Sequence, residues 1–258
     1  MVLISQEKMP GITPLFTGME ESMIWSCLQG EMGRAWADTA KNPLCAGIIT
    51  GDFCFFAGNS EADGAEALIR ELPGETHSPF CLLVPPDEDW CRKIENAYGR
   101  KAKKTERYAL KKTKSFDFSR LEQYAGQLPP GYVCRPIAKG LYQTVLEEDW
   151  SADFCSQFVD EADYNKRGLG FAVLYQNRVV SGASSYTVFR GGIEIEVDTH
   201  PDFRRKGLAK ACSARLILEC LGRGLYPSWD AANRASLALA EKLGYCFDKA
   251  YVTYVVSY

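Results

Sequence analysis

The run from residue 170 to 222 limits most strongly what this chain can fold into. It opens with "GFAVLYQNRVVSGASSYTVFRGGIEIEVDTH", three strand-forming segments divided at Gln176-Asn177-Arg178 and Arg190-Gly191-Gly192. Both dividers suit tight hairpins, so the segments are expected as successive antiparallel strands. In the third, Ile193, Ile195 and Val197 alternate with Glu194, Glu196 and Asp198. One face of that strand is therefore apolar and the other acidic. "HPDFRRKGLAKACSARLI" follows, placing Arg204, Arg205, Lys206 and Gly207 at the mouth of a helix expected from about 205 to 222. Its apolar stripe is Ala211, Ala214, Ile217, Leu218 and Leu221, and Gly222 and Gly224 stop it. The three cations repel one another and stand at the positive end of the helix dipole. An anion resolves both conflicts. The first helical amides have no internal partner, Gly207 lets a bulky group approach the backbone, and Ala209 keeps the next position small. The arrangement suits a diphosphate better than a lone carboxylate. A basic helix start facing solvent is the plain alternative.

The rest of the chain supplies more of the same grammar. "PLCAGIITGDFCFFAGN" reads as two strands joined at Thr50-Gly51-Asp52. Short helices are expected over 61–72 and 87–99, with a buried strand in "SPFCLLVPP" between them. "GQLPPGY" at 126–132 marks a break, and a strand is expected from Tyr132 to Ile137. Residues 138–166 carry spaced apolar positions (Leu141, Val145, Trp150, Phe154, Phe158) that predict one or two helices. After the long helix come a strand in "LYPSWDA", a helix in "NRASLALAEKLGY" ending at Gly244, and a closing strand in "KAYVTYVVSY". Ser236, Leu239, Ala240 and Leu243 share a face of that last helix. No internal repeat is visible. The expected class is α/β with a mixed sheet, in two domains, 1–127 and 128–258.

Composition narrows the function. A net charge of −3 over 258 residues argues against a dedicated nucleic-acid binder. The basic stretch at 100–114 reads as a solvated strand or as a platform for anions, and a nucleic-acid module there would want more aromatics than Tyr108. No apolar run approaches the roughly 20 residues of a membrane helix, and the first residues show no secretory h-region. The ten cysteines are scattered, without CxxC spacing, and the histidines are two, so no metal site is expected. Cysteines in runs such as Phe53-Cys54-Phe55-Phe56 read as small buried hydrophobes in a reducing cytoplasm. His200 is read as a turn residue before a base, and His77 has no context.

Arg204-x-x-Gly207-x-Ala209 after an acidic antiparallel strand, followed by "WDAANRASLALAEKLGY", resembles the GCN5-related N-acetyltransferases. The stretch 227–245 is similar to the pattern PxWDAxNxxSxxLAxKLGY of the subgroup that includes the zwittermicin A resistance protein. The resemblance covers about residues 130–258 and implies the fold of that superfamily there, with an N-terminal α/β companion domain that lines the acceptor site. It implies acetyl-CoA as acetyl donor. Val197, Asp198 and Thr199 would meet the pantetheine arm, and the Val197 amide the thioester carbonyl. Arg204, Arg205, Lys206, Gly207, Leu208 and Ala209 would hold the diphosphate. Asn233 stands beside the cofactor arm in that family, though it equally suits an N-cap, and Ser236 is either a cofactor contact or packing. Glu196 and Glu194 are candidates for the base that takes a proton from the amine, with Glu196 preferred, and an exposed polar face explains either one equally well. The tyrosine that protonates the thiolate in many relatives is replaced by Ala240, which leaves Tyr245, Tyr251, Tyr254 or solvent for that step.

The expected function is therefore transfer of acetyl to a primary amine of a small polar molecule, an antibiotic among them, by direct attack in a ternary complex. A non-catalytic acyl-CoA sensor is the alternative. The expected partner is the amine acceptor, with no nucleic acid and no membrane, and a homodimer is the oligomer considered.

Overall fold

In the computed structural model, which describes residues 1–76, 78–113, 115–138 and 140–257, the hairpins form where the turn residues place them. Strands β1 (Val2–Ile4), β2 (Arg34–Ala37), β3 (Cys45–Thr50), β4 (Phe53–Gly58) and β5 (Phe80–Val84) precede β6 (Lys103–Leu110). Then come β7 (Tyr132–Pro136), β8 (Gly170–Tyr175), β9 (Arg178–Phe189), β10 (Gly192–Thr199), β11 (Tyr226–Ser228), β12 (Asp230–Ala231) and β13 (Phe247–Ser257). The helices are α1 (Met9–Ile12), α2 (Ser22–Leu28), α3 (Ala65–Glu71), α4 (Glu88–Tyr98), α5 (Phe118–Ala125), α6 (Leu141–Leu146), α7 (Glu161–Arg167), α8 (Leu208–Gly222) and α9 (Arg234–Lys242). The class is mixed α/β, as expected.

The chain clusters into two units, residues 1–107 with 250–258, and residues 108–249. The division expected after residue 127 thus falls inside the second unit, because α5 packs on α8. In the first unit β1, β2, β3 and β4 pair antiparallel in sequence, and β4 pairs parallel with β5. The end of β13 joins β5 antiparallel, with Tyr254 opposite Leu83. In the second unit β7, β8, β9 and β10 pair antiparallel, and β10 pairs parallel with β11. The two units share the run strand, helices, three strands, helix, strand, helix, from β1 to α4 in the first and from β7 to α9 in the second, where α5 precedes the run and the short β12 interrupts it. The sequence shows no repeat because only this order is shared, not the residues.

Local chemistry explains where the boundaries differ from those expected. Helix α8 begins at Leu208 rather than near 205, because Arg205 (φ 62°) and Gly207 (φ 80°) are left-handed. It is buried nearly all round, with Cys212, Leu216 and Cys220 inside, while Leu218 and Leu221 are half-buried. Helix α3 starts at Ala65, after Gly64. The expected strand over "LYPSWDA" is two, β11 and β12, because Trp229 turns into the core between them. The basic stretch folds as β6, where Lys104 pairs with Glu95 at 3.1 Å and Arg107 lies over Phe53. Seven of the ten cysteines are buried, and burial pushes the thiols of Cys27, Cys155 and Cys220 up to about 12. Such thiols stay protonated at neutral pH and are poor nucleophiles.

Candidate functional site

The site grows from the place where two strands part. β10 pairs with β11 only from Gly192 to Glu194, yet runs on to Thr199. β11 ends at Ser228, and the next strand, β12, pairs with Tyr108 and Ala109 of β6 instead. The edge of β10 that faced β11 is thereby released from Ile195 onward. Trp229 anchors the departure: it is 3% exposed, its indole N–H donates to Ser236 Oγ at 3.1 Å, and its ring meets Tyr245 edge-on.

A cavity of about 850 Å³ opens beside this parting. Val197, Asp198 and Thr199 of β10 line it, with Arg204, Arg205, Gly207, Leu208 and Ala209 of the following loop and helix. Asn233 and Ser236 of α9 face them. The loop is pinned to β10 by Arg204, whose Nε donates to the Thr199 carbonyl at 3.1 Å and whose Nη2 lies 3.6 Å from Asp198 Oδ1. Left-handed backbone at Arg205 and Gly207 turns the chain sharply there, the kind of conformation from which anion nests are built. Among the described residues, the amides of Arg205, Lys206, Gly207, Leu208 and Ala209 donate to no carbonyl; the first return bond of the helix is Ala211 to Gly207 at 3.1 Å. A Cβ built on Gly207 meets nothing within 4 Å, so the approach to its backbone is open.

Charge follows the same plan. Arg204, Arg205, Lys210 and Lys242 line the cavity, and Asp198 is the one acid among its described lining residues. Lys206 departs from the expectation. Its side chain is turned away, with Nζ 3.4 Å from the Tyr132 hydroxyl and 4.8 Å from the centre of the Phe203 ring, so only its main chain remains available to the loop.

Several lining residues escape a reading of the sequence. Tyr124 comes from α5, and Lys210 Nζ stands 4.1 Å over its ring while donating to Gln127 Oε1 at 3.1 Å. No local motif marks Tyr124, which reaches the cavity only because α5 packs on α8. Lys242 and Leu239 carry a weak signal, lying three residues apart and at helical spacing from Ser236.

The acidic residues of β10 divide. Glu194 is 4% exposed, does not line the cavity, and its Oε1 accepts the Asp230 amide at 2.7 Å. Glu196 is half-buried, lies outside the cavity lining, and is registered opposite Ser184. Ser184 Oγ donates to the Phe154 carbonyl at 2.6 Å and lies 2.8 Å from the Tyr164 hydroxyl, so this face of the sheet turns toward the 138–166 segment. Asn233 serves as N-cap, its Oδ1 accepting from Ala235 and Ser236 at 3.0 Å, and it also lines the cavity.

The candidate proton donors are engaged elsewhere. Tyr245 is buried, donates to the Pro227 carbonyl at 2.6 Å, and burial holds its pKa well above the usual range. Tyr254 is buried and donates to Glu95 Oε1, and Tyr251 is half-buried; neither lines the cavity. His200 lies outside the lining too, its Nδ1 accepting the Asp202 amide in the turn. His77 lies outside the described residues. No described group of histidines, cysteines and carboxylates could hold a metal, and no described helix is long and apolar enough to cross a membrane.

A family described as GNAT acetyltransferase matches residues 13–254. The chain is 43% identical to a GCN5-related N-acetyltransferase-like protein from Streptococcus suis 89/1591, with TM-score 0.90 over 96% of this chain and 98% of that one. It is 34% identical over 128 residues to the uncharacterized N-acetyltransferase YdfB of Bacillus subtilis (strain 168). That match spans 46% of this chain and 49% of the relative, so about half of YdfB is covered. A tandem GNAT protein from the clavulanic acid biosynthesis pathway shares the fold, with TM-score 0.57 at 13% identity over 99% of this chain and 97% of that one.

Proposed function

Because the chain belongs to the GNAT acetyltransferase family, we propose that it moves acetyl from acetyl-CoA to a primary amine of a small polar molecule. The observation that carries this reading is the ring of unbonded amides from Arg205 to Ala209 at the mouth of a basic cavity. That donor set fits a diphosphate: it offers unbonded N–H groups at the start of a 15-residue helix, an open glycine, and cations at the rim. Acetyl-CoA would supply an activated acetyl thioester. The released edge of β10, at Ile195 and Val197, offers main-chain groups to an extended amide-bearing arm beside it. A donor on that edge would stabilise charge developing on the thioester oxygen.

The acceptor amine is protonated at neutral pH and must lose a proton before its nitrogen bonds the acetyl carbon and the carbon–sulfur bond breaks. Glu196 is the residue we assign to accept that proton, directly or through water. Ala240 carries no proton to give, and the hydroxyls of Tyr245 and Tyr254 are spent on Pro227 and Glu95. Tyr251 does not line the cavity, so of the donors considered we assign the protonation of the leaving thiolate to solvent. The likeness of residues 227–245 to the zwittermicin A resistance subgroup supports a polyamine-like or aminoglycoside-like acceptor, antibiotics included.

The test is CoA release on incubation with acetyl-CoA and a panel of polyamines and aminoglycosides. Wild-type protein should turn over at least one amine. Glu196→Gln should lower kcat about a hundredfold and leave the KM for acetyl-CoA unchanged. Arg205→Ala should raise that KM instead. Absence of CoA binding in a calorimetric titration would overturn the reading, and binding without turnover on any amine would leave a sensor.

A further inference from the structure

Register arithmetic around the parting of β10 and β11 singles out Glu194. The Tyr226 amide donates to the Gly191 carbonyl at 2.7 Å. Alternate amides of a strand point the same way. A continued parallel ladder would therefore send the amide of residue 228 to the carbonyl of 193, and that of residue 230 to the carbonyl of 195. The second of these bonds is replaced: the Asp230 amide goes to the Glu194 carboxylate at 2.7 Å. A side chain from the neighbouring strand thus takes the hydrogen bond that would otherwise have extended the pairing by two residues. The substitution occurs at the last paired residue, since Glu194 lies opposite Ser228 and no pair follows. It coincides with an irregularity in the β9–β10 ladder between Glu194 and Ile195.

We propose that Glu194 is a positioning residue that holds the two strands apart, and that it does not take the substrate's proton. The carboxylate satisfies a partly buried donor that would otherwise seek the β10 main chain, and so keeps the edge at Ile195 and Val197 available to a ligand. A buried carboxylate is costly unless it is hydrogen-bonded; at 4% exposure it meets that condition with a main-chain amide as partner. The same burial keeps it out of the cavity lining.

The effect on cofactor binding rests on the acetyl-CoA reading; the effect on the Asp230 amide does not. The experiment compares Glu194→Gln, which keeps an acceptor oxygen at the same reach, with Glu194→Met, which has similar length and no comparable acceptor. Hydrogen exchange of the 228–232 segment is read first, then CoA affinity by calorimetry, both on the full chain. Glu194→Gln should keep the Asp230 amide protected and hold CoA affinity within about twofold, whereas Glu194→Met should lose the protection and weaken CoA about tenfold or more. Equal exchange in wild type and Glu194→Met overturns the proposal. So does a Glu194→Gln variant that binds CoA normally but has lost its pH-dependent turnover, because a base would then have been removed. If Glu194→Met does not fold, Glu194→Gln decides alone, by rescue or by loss. Should wild type bind no CoA while the exchange pattern holds, the acetyl-CoA reading fails and the clamp stands.

Discussion

Residue chemistry decides which groups around the cavity are free to act. Tyr245 is attractive on paper, since it ends the motif in which relatives carry their proton donor. In the structure its hydroxyl is a buried strut on Pro227. Tyr245→Phe should cost about 1–3 kcal/mol, the usual penalty for orphaning a buried acceptor. Chemical denaturation measures that loss, and turnover per folded molecule should be unchanged. The pH dependence has a definite sign. Burial raises the folded-state pKa above the ordinary value of about 10. The unfolded chain therefore releases its proton first, and the contribution is complete below that value and falls as pH rises past it. The phenylalanine variant should lose this part of the alkaline dependence. What the sequence disclosed at this scale was local: the conflict of Arg204, Arg205 and Lys206 with a helix dipole is visible in four consecutive residues. The role of Glu194 was not visible, because its partner lies 36 positions on. Lys206 was misleading because a long flexible side chain finds an aromatic neighbour, here Phe203, that its own segment does not specify.

At the scale of elements, the start of α9 shows how one residue can hold a helix and line a cavity together. Asn233 caps the helix with two 3.0 Å bonds and also lines the cavity. Two substitutions separate the roles. Asn233→Ala removes the cap and should cost about 1 kcal/mol in thermal or denaturant unfolding. Asn233→Asp keeps the cap and favours the helix dipole, so stability should hold. It adds a negative charge to a basic cavity, so on the acetyl-CoA reading affinity for CoA should fall several-fold in calorimetry. If both variants bind CoA like wild type, Asn233 is a cap only. Amphipathic helices such as α4 are legible because their apolar spacing reports a single buried face, whereas α8, buried nearly all round, and β9, buried on both faces, are legible from the turns and glycines that bound them. The sequence places the start of α8 three residues early because left-handed Arg205 carries no sequence signature, unlike Gly207. Tyr124 was invisible because α5 lies before the Pro129-Pro130 break, and only its packing on α8 brings it to the site.

At the scale of the whole molecule, the two units repeat one topology but not one chemistry. In the first unit β4 also parts from its parallel partner, pairing with β5 over Phe53–Phe55 and continuing to Gly58. There the parting is closed. Trp90 is fully buried, stacks on Phe56 at 5.2 Å, and donates its indole N–H to the Gly58 carbonyl at 2.9 Å. The loop that follows, Asn59 to Gly64, carries Glu61 and Asp63 and no cation. A diphosphate would meet repulsion and a filled core. Calorimetric titration should therefore give one CoA per chain, a site abolished by charge reversal at Arg205; two sites would show that the first unit binds as well. Sequence alone could not reveal this repeat, because topology is conserved by the pairing of strands and those pairings tolerate almost any apolar residues.

The closing stretch of β13 has a consequence in time. Tyr254, Val255, Val256 and Ser257 pair with Leu83, Leu82, Cys81 and Phe80, so the unit begun earlier is finished by residues synthesised only after the other unit. While the ribosome works through the intervening 140 or so codons, that unit waits with a raw, sticky margin on β5, a stage at which nascent chains invite chaperones or cling to one another. A nonsense codon just short of residue 250 would thus spare the unit it interrupts, residues 108–249, and cripple the one translated long before.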